Sequence, residues 1–329
     1  MIWLTWRQLR TQAGATYALL AVLAVILATT GSQLLHLYET AGADFLTRLT
    51  EADNSLYLVG ALAVMALPAL IGMFWGAPLI TRELDAGTHR LVWNQGVTRT
   101  RWLITKLGLT GLAAMAAAGA LSLAVSWWAG PIDATADGSS VLAGFYFPRL
   151  SPLMFDARGV APIGHAAFAF TLGVTLGVLI RRTLPAMIVT LVAFITVQVA
   201  VPLWVRPALI APARLTTPIS AANFRLWDGE NVKVLIDKPG AWTIGQHTID
   251  AAGRSVAAPS WIPDCLGQVR AELDTGCLDR LGRLGYRQLV SYQPAGRFWT
   301  FQWYELGIFL ALAVLLALFC AWWIRRHVS

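Results

Sequence analysis

Six stretches of about 20 mainly apolar residues recur along this 329-residue chain, and that is the length an α-helix needs to cross about 30 Å of hydrocarbon. They run from Ala13 to Leu35, Tyr57 to Ile80, Leu103 to Ala129, Pro162 to Ile180, Leu184 to Val205 and Phe301 to Ile324. Backbone in lipid must satisfy its own hydrogen bonds, so each stretch reads as a transmembrane helix and the fold class as an all-α polytopic membrane protein. Composition agrees: 57% of residues are hydrophobic and only 13% charged, where a soluble domain carries roughly a quarter charged. The 15 Trp are numerous enough to furnish interfacial aromatic belts.

A formal net charge of +7 raises nucleic acid as a partner, but the basic residues gather at the ends of the apolar stretches, which is a topology signal and excludes that reading. With the N-terminus inside, the cytoplasmic segments hold Arg7, Arg10, Arg82, Arg90, Arg99, Arg101, Lys106, Arg181, Arg182, Arg325 and Arg326. The first outer loop carries Glu39, Asp44, Glu51 and Asp53 against Arg48 alone. Both termini are therefore expected in the cytoplasm of a multi-pass protein of the cell membrane. Residues 1–12 place Ile2, Trp6 and Leu9 on one helical face and Arg7, Gln8 and Thr11 largely elsewhere, the pattern of an amphipathic helix lying in the inner interface.

Residues 206–300 form the one long hydrophilic segment, an expected small extracellular α+β domain between the fifth and sixth spans. Val232 to Ile236 and Trp242 to Ile249 have β character around a turn at Asp237–Gly240, and Leu266, Val269, Leu273, Leu278, Leu281 and Leu284 recur at helical spacing. Disorder is the alternative. The expected organisation is thus an interfacial helix over 1–12, five spans over 13–205 with a cytoplasmic coupling loop at 81–102, the outer domain, and a sixth span with its tail over 301–329.

The chemistry-bearing residues exclude more than they assign. Cys265, Cys277 and Cys320 lack CxxC spacing and the five His are scattered, so no metal site is legible. No GxxxxGK[ST] phosphate loop occurs, so the chain cannot hold ATP by that route; no cofactor is expected on this chain, and ATP with Mg would sit on a partner. Ion-coupled carriers need ionisable groups in the membrane, whereas here Glu305 and His165 lie near span ends and are expected to reach the headgroups. Energy from outside the bilayer fits this poverty of internal charge. Cys265 and Cys277 both fall in the segment placed in the oxidising compartment and are expected to form a disulfide.

The most informative stretch joins the second and third spans: Thr81-Arg82-Glu83-Leu84-Asp85-Ala86-Gly87-Thr88-His89-Arg90-Leu91-Val92-Trp93, followed by Asn94-Gln95-Gly96-Val97-Thr98-Arg99-Thr100-Arg101-Trp102. Gly87 permits a sharp redirection, and Thr88 can cap a short helix carrying Leu91, Val92 and Trp93. Gly96 ends that helix and Thr98 can start the next. The result is a short helix with an apolar patch held beneath the membrane by two long helices, or, more plainly, an interfacial loop with snorkelling arginines.

The Arg-Glu-x-x-x-Gly-Thr run, the hydrophobic turn, the Thr-Arg pair and Lys106 together resemble membrane subunits of ABC exporters with the type V fold. Trp93 to Trp102, with Tyr292-Gln293-Pro294 and Arg297-Phe298-Trp299 before the last span, is similar to the actinobacterial drug-exporter branch. The resemblance implies two copies of this chain, or one with a similar permease, on two ABC ATPase subunits. It implies that Arg82, Glu83, Gly87, Thr88, Arg90, Leu91, Trp93 and Arg99 engage the ATPase. Polar side chains within the spans would line the cavity for an amphipathic or hydrophobic compound such as a drug, lipid or peptide. Gln198, with Phe194 one turn earlier, is the candidate pair, although an interhelical hydrogen bond would satisfy Gln198 equally well. Gly173 and Gly177 form a small-xxx-small pair that can mark a dimer contact, and Pro68 is placed to kink the second helix. A membrane sensor or immunity protein with a ligand-binding outer domain is the rival reading.

Overall fold

A computed structural model describes residues 2–85, 98–138, 146–220, 222–228, 231–262 and 280–327. Among them, six helices are long and apolar enough to span a membrane: Arg10–Ala41, Glu51–Arg82, Arg101–Gly138, Ala161–Ile180, Thr183–Leu209 and Ala295–Arg326. Each contains the whole of one of the apolar stretches read from the sequence. The chain divides into two compact units, one of residues 1–132, 152–205 and 299–329, the other of residues 133–151 and 206–298.

In the helical unit, α1 (Ile2–Ala41) is helical without interruption. The expected interfacial segment therefore has no break at Gln12 to set it apart from the span. At 1.5 Å per residue, α1 is about 60 Å long, twice the hydrocarbon thickness. After a 3-10 turn over Gly42–Arg48, Thr50 and Asp53 make a reciprocal capping box that starts α2 (Glu51–Ile71), satisfying donors that the first turn leaves orphaned. The helix passes through Pro68, widens into a π turn at Gly72–Gly76, and continues as α3 (Ala77–Asp85). The departure from α geometry thus follows Pro68 by one turn.

The third span lies in α4 (Arg99–Gly138), which Thr98 starts as expected, its hydroxyl accepting from the Arg101 N–H at 3.3 Å. A short helix, α5 (Pro152–Phe155), and the turn after it lead into α6 (Ala161–Ile180). Arg181, at φ 56°, ends α6 in the left-handed conformation, and α7 (Thr183–Ala200) follows directly. Burial ranks the spans: 72% of the α6 window is buried, against 17% for the first and fifth spans and 22% for the sixth. α6 is accordingly the central post of the unit. The others leave apolar faces for lipid or a second subunit, including Leu184, Ile188, Val192 and Ile195 on α7.

The second unit is a small mixed domain whose longer segment, residues 206–298, opens with the four-residue α8 (Arg206–Leu209). β1 (Ala213–Pro218), β4 (Trp242–Ile249) and β5 (Arg287–Gln293) form an antiparallel sheet in the order β1-β5-β4, while β2 (Phe224–Trp227) pairs with β3 (Val232–Val234). The two strands read from the sequence flank the expected turn, with Gly240 at φ 66°, yet do not pair with each other. The Gln246 side chain links them instead, accepting from the Val234 N–H at 2.8 Å and donating to its carbonyl at 2.9 Å. Ile219, Val232, Val234, Ile236, Ile262, Leu281 and Val290 make the core. Of the helical leucine pattern, residues 263–279 lie outside the described residues. Backbone at 280–283 is helical, Leu281 is buried and Leu284 exposed.

Candidate functional site: the coupling helices and a buried polar cluster

Thr81 and Arg82 sit at the end of α3 that leads into the expected coupling loop. Thr81 is buried, its hydroxyl donating to the Ala77 carbonyl at 2.6 Å, while Arg82 is exposed. Glu83 and Arg99 lie on α3 and α4, and only their backbone is described. Gly87, Thr88, Arg90, Leu91 and Trp93 lie outside the described residues, as do Cys265 and Cys277. Cys320, by contrast, is a buried free thiol 3.2 Å from the Thr175 hydroxyl.

Both helices flanking the loop are anchored in one core. Ile80 of α3 and Trp102 and Leu103 of α4 pack with Val174 and Val178 of α6 and with Cys320 and Ile324 of α9 (Phe298–His327). Lys106, counted above among the flanking charges, is 2% exposed with its ammonium 5.1 Å from the Trp102 ring centroid. A cation there is stabilised by the ring's negative face.

The π turn crosses α6 at very close range. A Cβ on Gly72 would stand 2.6 Å from the Ala169 carbonyl oxygen, one on Gly76 2.5 Å from that of Phe170, and one on Gly177 2.6 Å from that of Ala77. Gly173 is equally crowded against Gly72 and Ala77. Small residues allow such backbone approach between membrane helices. Gly173 and Gly177 therefore serve a crossing within the chain.

Phe194 is 2% exposed and belongs to an aromatic cluster with Phe168 and Phe309. Gln198, one turn on, is half-buried, and its side-chain oxygen has no hydrogen-bond partner among the described residues. A separate cleft of about 660 Å³ opens between the end of α1 and the start of α2, lined by Gln33, His36, Arg48, Thr50 and Asp53 among others.

A second constellation escaped the sequence reading. The turn after α5 carries Asp156, Arg158 and Gly159, the last at φ 72°. Gly159 is held from α4, its carbonyl accepting from the Ser122 hydroxyl at 2.7 Å and its N–H donating to Ser126 at 3.1 Å. Gln302 of α9 then caps α6: its side-chain oxygen accepts from the Val160 and Ala161 N–H groups at 2.9 and 2.7 Å, and its amide donates to the Phe155 carbonyl at 3.1 Å. One turn further along each helix stand His165 and Glu305, with Nε2 and Oε2 3.8 Å apart. Glu305 is 1% and His165 2% exposed, so neither presents its side chain at the protein surface as expected. The signal was available, because an ionisable residue in a span usually faces the bundle interior. What hid the cluster was its third member, Asp156, which lies outside every apolar window.

Six helices long and apolar enough to cross a membrane, one of them largely buried among the others, define a polytopic membrane protein. The family described as ABC-2 membrane transporter related matches residues 17–206, which is more than half of the chain, and the chain belongs to it. It is thus a membrane-spanning permease component of the ABC transporter class, a class whose permeases work with a partner ATPase. Neither the curated proteins nor the solved structures yield a match.

Proposed function

We propose that this chain is the permease of an ATP-driven exporter, moving an amphipathic or hydrophobic compound out of the cell as a dimer, or with a similar permease, on two ATPase subunits. In this reading the ATPases hold ATP and Mg, the loop 81–102 with Glu83, Arg90, Leu91, Trp93 and Arg99 docks on them, and both termini are cytoplasmic. The small sheet unit then lies outside, where Cys265 and Cys277 would be oxidised. The observation that carries the proposal is the anchoring of α3 and α4 in one core. A push on the loop between them moves packed helices rather than slack chain, and the π turn passes that displacement to α6 through backbone contact. Membership of a transporter family favours this over a sensor.

Co-purification from native membranes tests the assembly and should recover an ABC ATPase. Within that complex, Trp93→Ala and Glu83→Ala remove an apolar anchor and a charge, a loss of about 2 kcal/mol or more where such groups are central to an interface. Both should insert normally, yet lose ATPase retention and export. Normal assembly and export by both would show that the loop is not the coupling element.

A further inference from the structure

We propose that Asp156, His165 and Glu305 form a binding site for a divalent cation of the zinc type. One ligand atom from each of the three lies within 4.8 Å of those of the other two, and all three side chains are buried. They come from three separate segments, the turn before α6, the second turn of α6 and the second turn of α9, so tertiary folding rather than local sequence brings them together. His165 Nε2 and Glu305 Oε2, at 3.8 Å, are too far apart for a hydrogen bond. They are nevertheless closer than twice a metal–ligand bond of about 2.1 Å, so one ion can touch both. Ligands of a tetrahedral zinc stand about 3.4 Å apart, so a pair at the 4.8 Å limit would close by about 1.4 Å, within reach of side-chain rotation.

The carboxyls of Asp156 and Glu305 and the guanidinium of Arg158 are all buried, where water is not available to solvate them. Arg158 is itself positioned, with Cζ 5.0 Å from the Tyr57 ring centroid and Nη1 donating to the Ala157 carbonyl at 3.2 Å. One imidazole with two carboxylates suits zinc and its neighbours rather than Mg or Ca, which prefer oxygen alone. Around the donors the shell is ordered: the His165 ring is held edge-on by Phe309 at 4.5 Å, and Gln302, one turn before Glu305, ties α9 to the turn bearing Asp156. A bound ion would pin α9 to α6 at one end of the helical unit.

The test is elemental analysis of the full chain, purified in detergent without a polyhistidine tag, equilibrated with Zn²⁺ and then freed of loose metal. About one zinc per chain is expected, falling at least fivefold in His165→Ala and in Glu305→Gln. X-ray absorption at the zinc edge of the unaltered protein should show nitrogen and oxygen ligands including one imidazole, so the question is decided even if the variants fail to fold. Zinc well below one per chain, undiminished zinc in folded variants, or sulfur in the first coordination shell would each overturn the site. None of these readouts depends on transport or on an ATPase, so the site stands or falls apart from the permease reading.

Discussion

Gln302 ties three segments together with one amide. A helix leaves its first N–H groups without partners, and Val160, at the cap position of α6, has a side chain that can accept nothing. Gln302 takes two of those donors from a helix more than 140 residues away in sequence. Gln302→Leu would bury them unsatisfied, at a cost of about 1–3 kcal/mol each, so the variant should melt several degrees below the unaltered protein in detergent. The sheet unit offers a pH-dependent counterpart. The backbone N–H of Arg254, foremost, together with its guanidinium and the Ala252 N–H, donates to Asp250 and holds that carboxyl below its ordinary range. A lowered folded value means that this turn's stabilisation is complete above the unfolded carboxylate value, near 3.9, and fades as pH falls through the folded one. Protection of the Arg254 amide, taken relative to its intrinsic exchange rate at each pH, should fall below pH 4 in the unaltered protein, while Asp250→Asn should be less protected at neutral pH and lose that acid step.

At the scale of elements, the crossing of the π turn with α6 is the feature most sensitive to a single methyl group. Gly173→Ala sets a carbon against backbone atoms of Gly72 and Ala77 at the two ends of the π turn, which cannot yield as a flexible side chain would, and overpacking of this kind costs roughly 1–3 kcal/mol. Gly108→Ala, on α4 with nothing within 4 Å of the new carbon, is the control. Thermal unfolding should separate the two, the first destabilised and the second unchanged or slightly stabilised, since alanine is the better helix former. This crossing also marks what was legible beforehand. Helix existence was, because an apolar run of spanning length has one stable backbone solution, and the Thr98 start was, because capping is local. Partners were not: Gly173-x-x-x-Gly177 announces close approach without naming the neighbour. Likewise β3 and β4 read as strands around Gly240, but the pairing of β4 with β5 depends on a segment nearly 40 residues downstream. Among the charges, Lys106 read as a flank residue because its sequence position says nothing of the Trp102 ring that receives it.

For the whole molecule, the governing question is where energy enters. The helical unit buries an Asp, a His and a Glu in one cluster, so the sequence expectation of spans nearly free of ionisable groups holds less firmly than composition implied. A fixed cluster tied down by Gln302 and Phe309 is nevertheless poorly suited to the release and capture that ion coupling demands. The chain contains no phosphate-binding loop, and its family belongs to a transporter class driven by ATP on a partner. The purified chain alone should therefore hydrolyse no ATP above background, and hydrolysis should emerge only when the co-purifying ATPase is restored. If export in membrane vesicles required nucleotide, yet continued unchanged after a proton or sodium gradient was collapsed, the energy would be entering through the loop between α3 and α4. Transport that followed the gradient and ignored nucleotide would place it instead at the buried cluster, and would overturn the ATP-driven assignment.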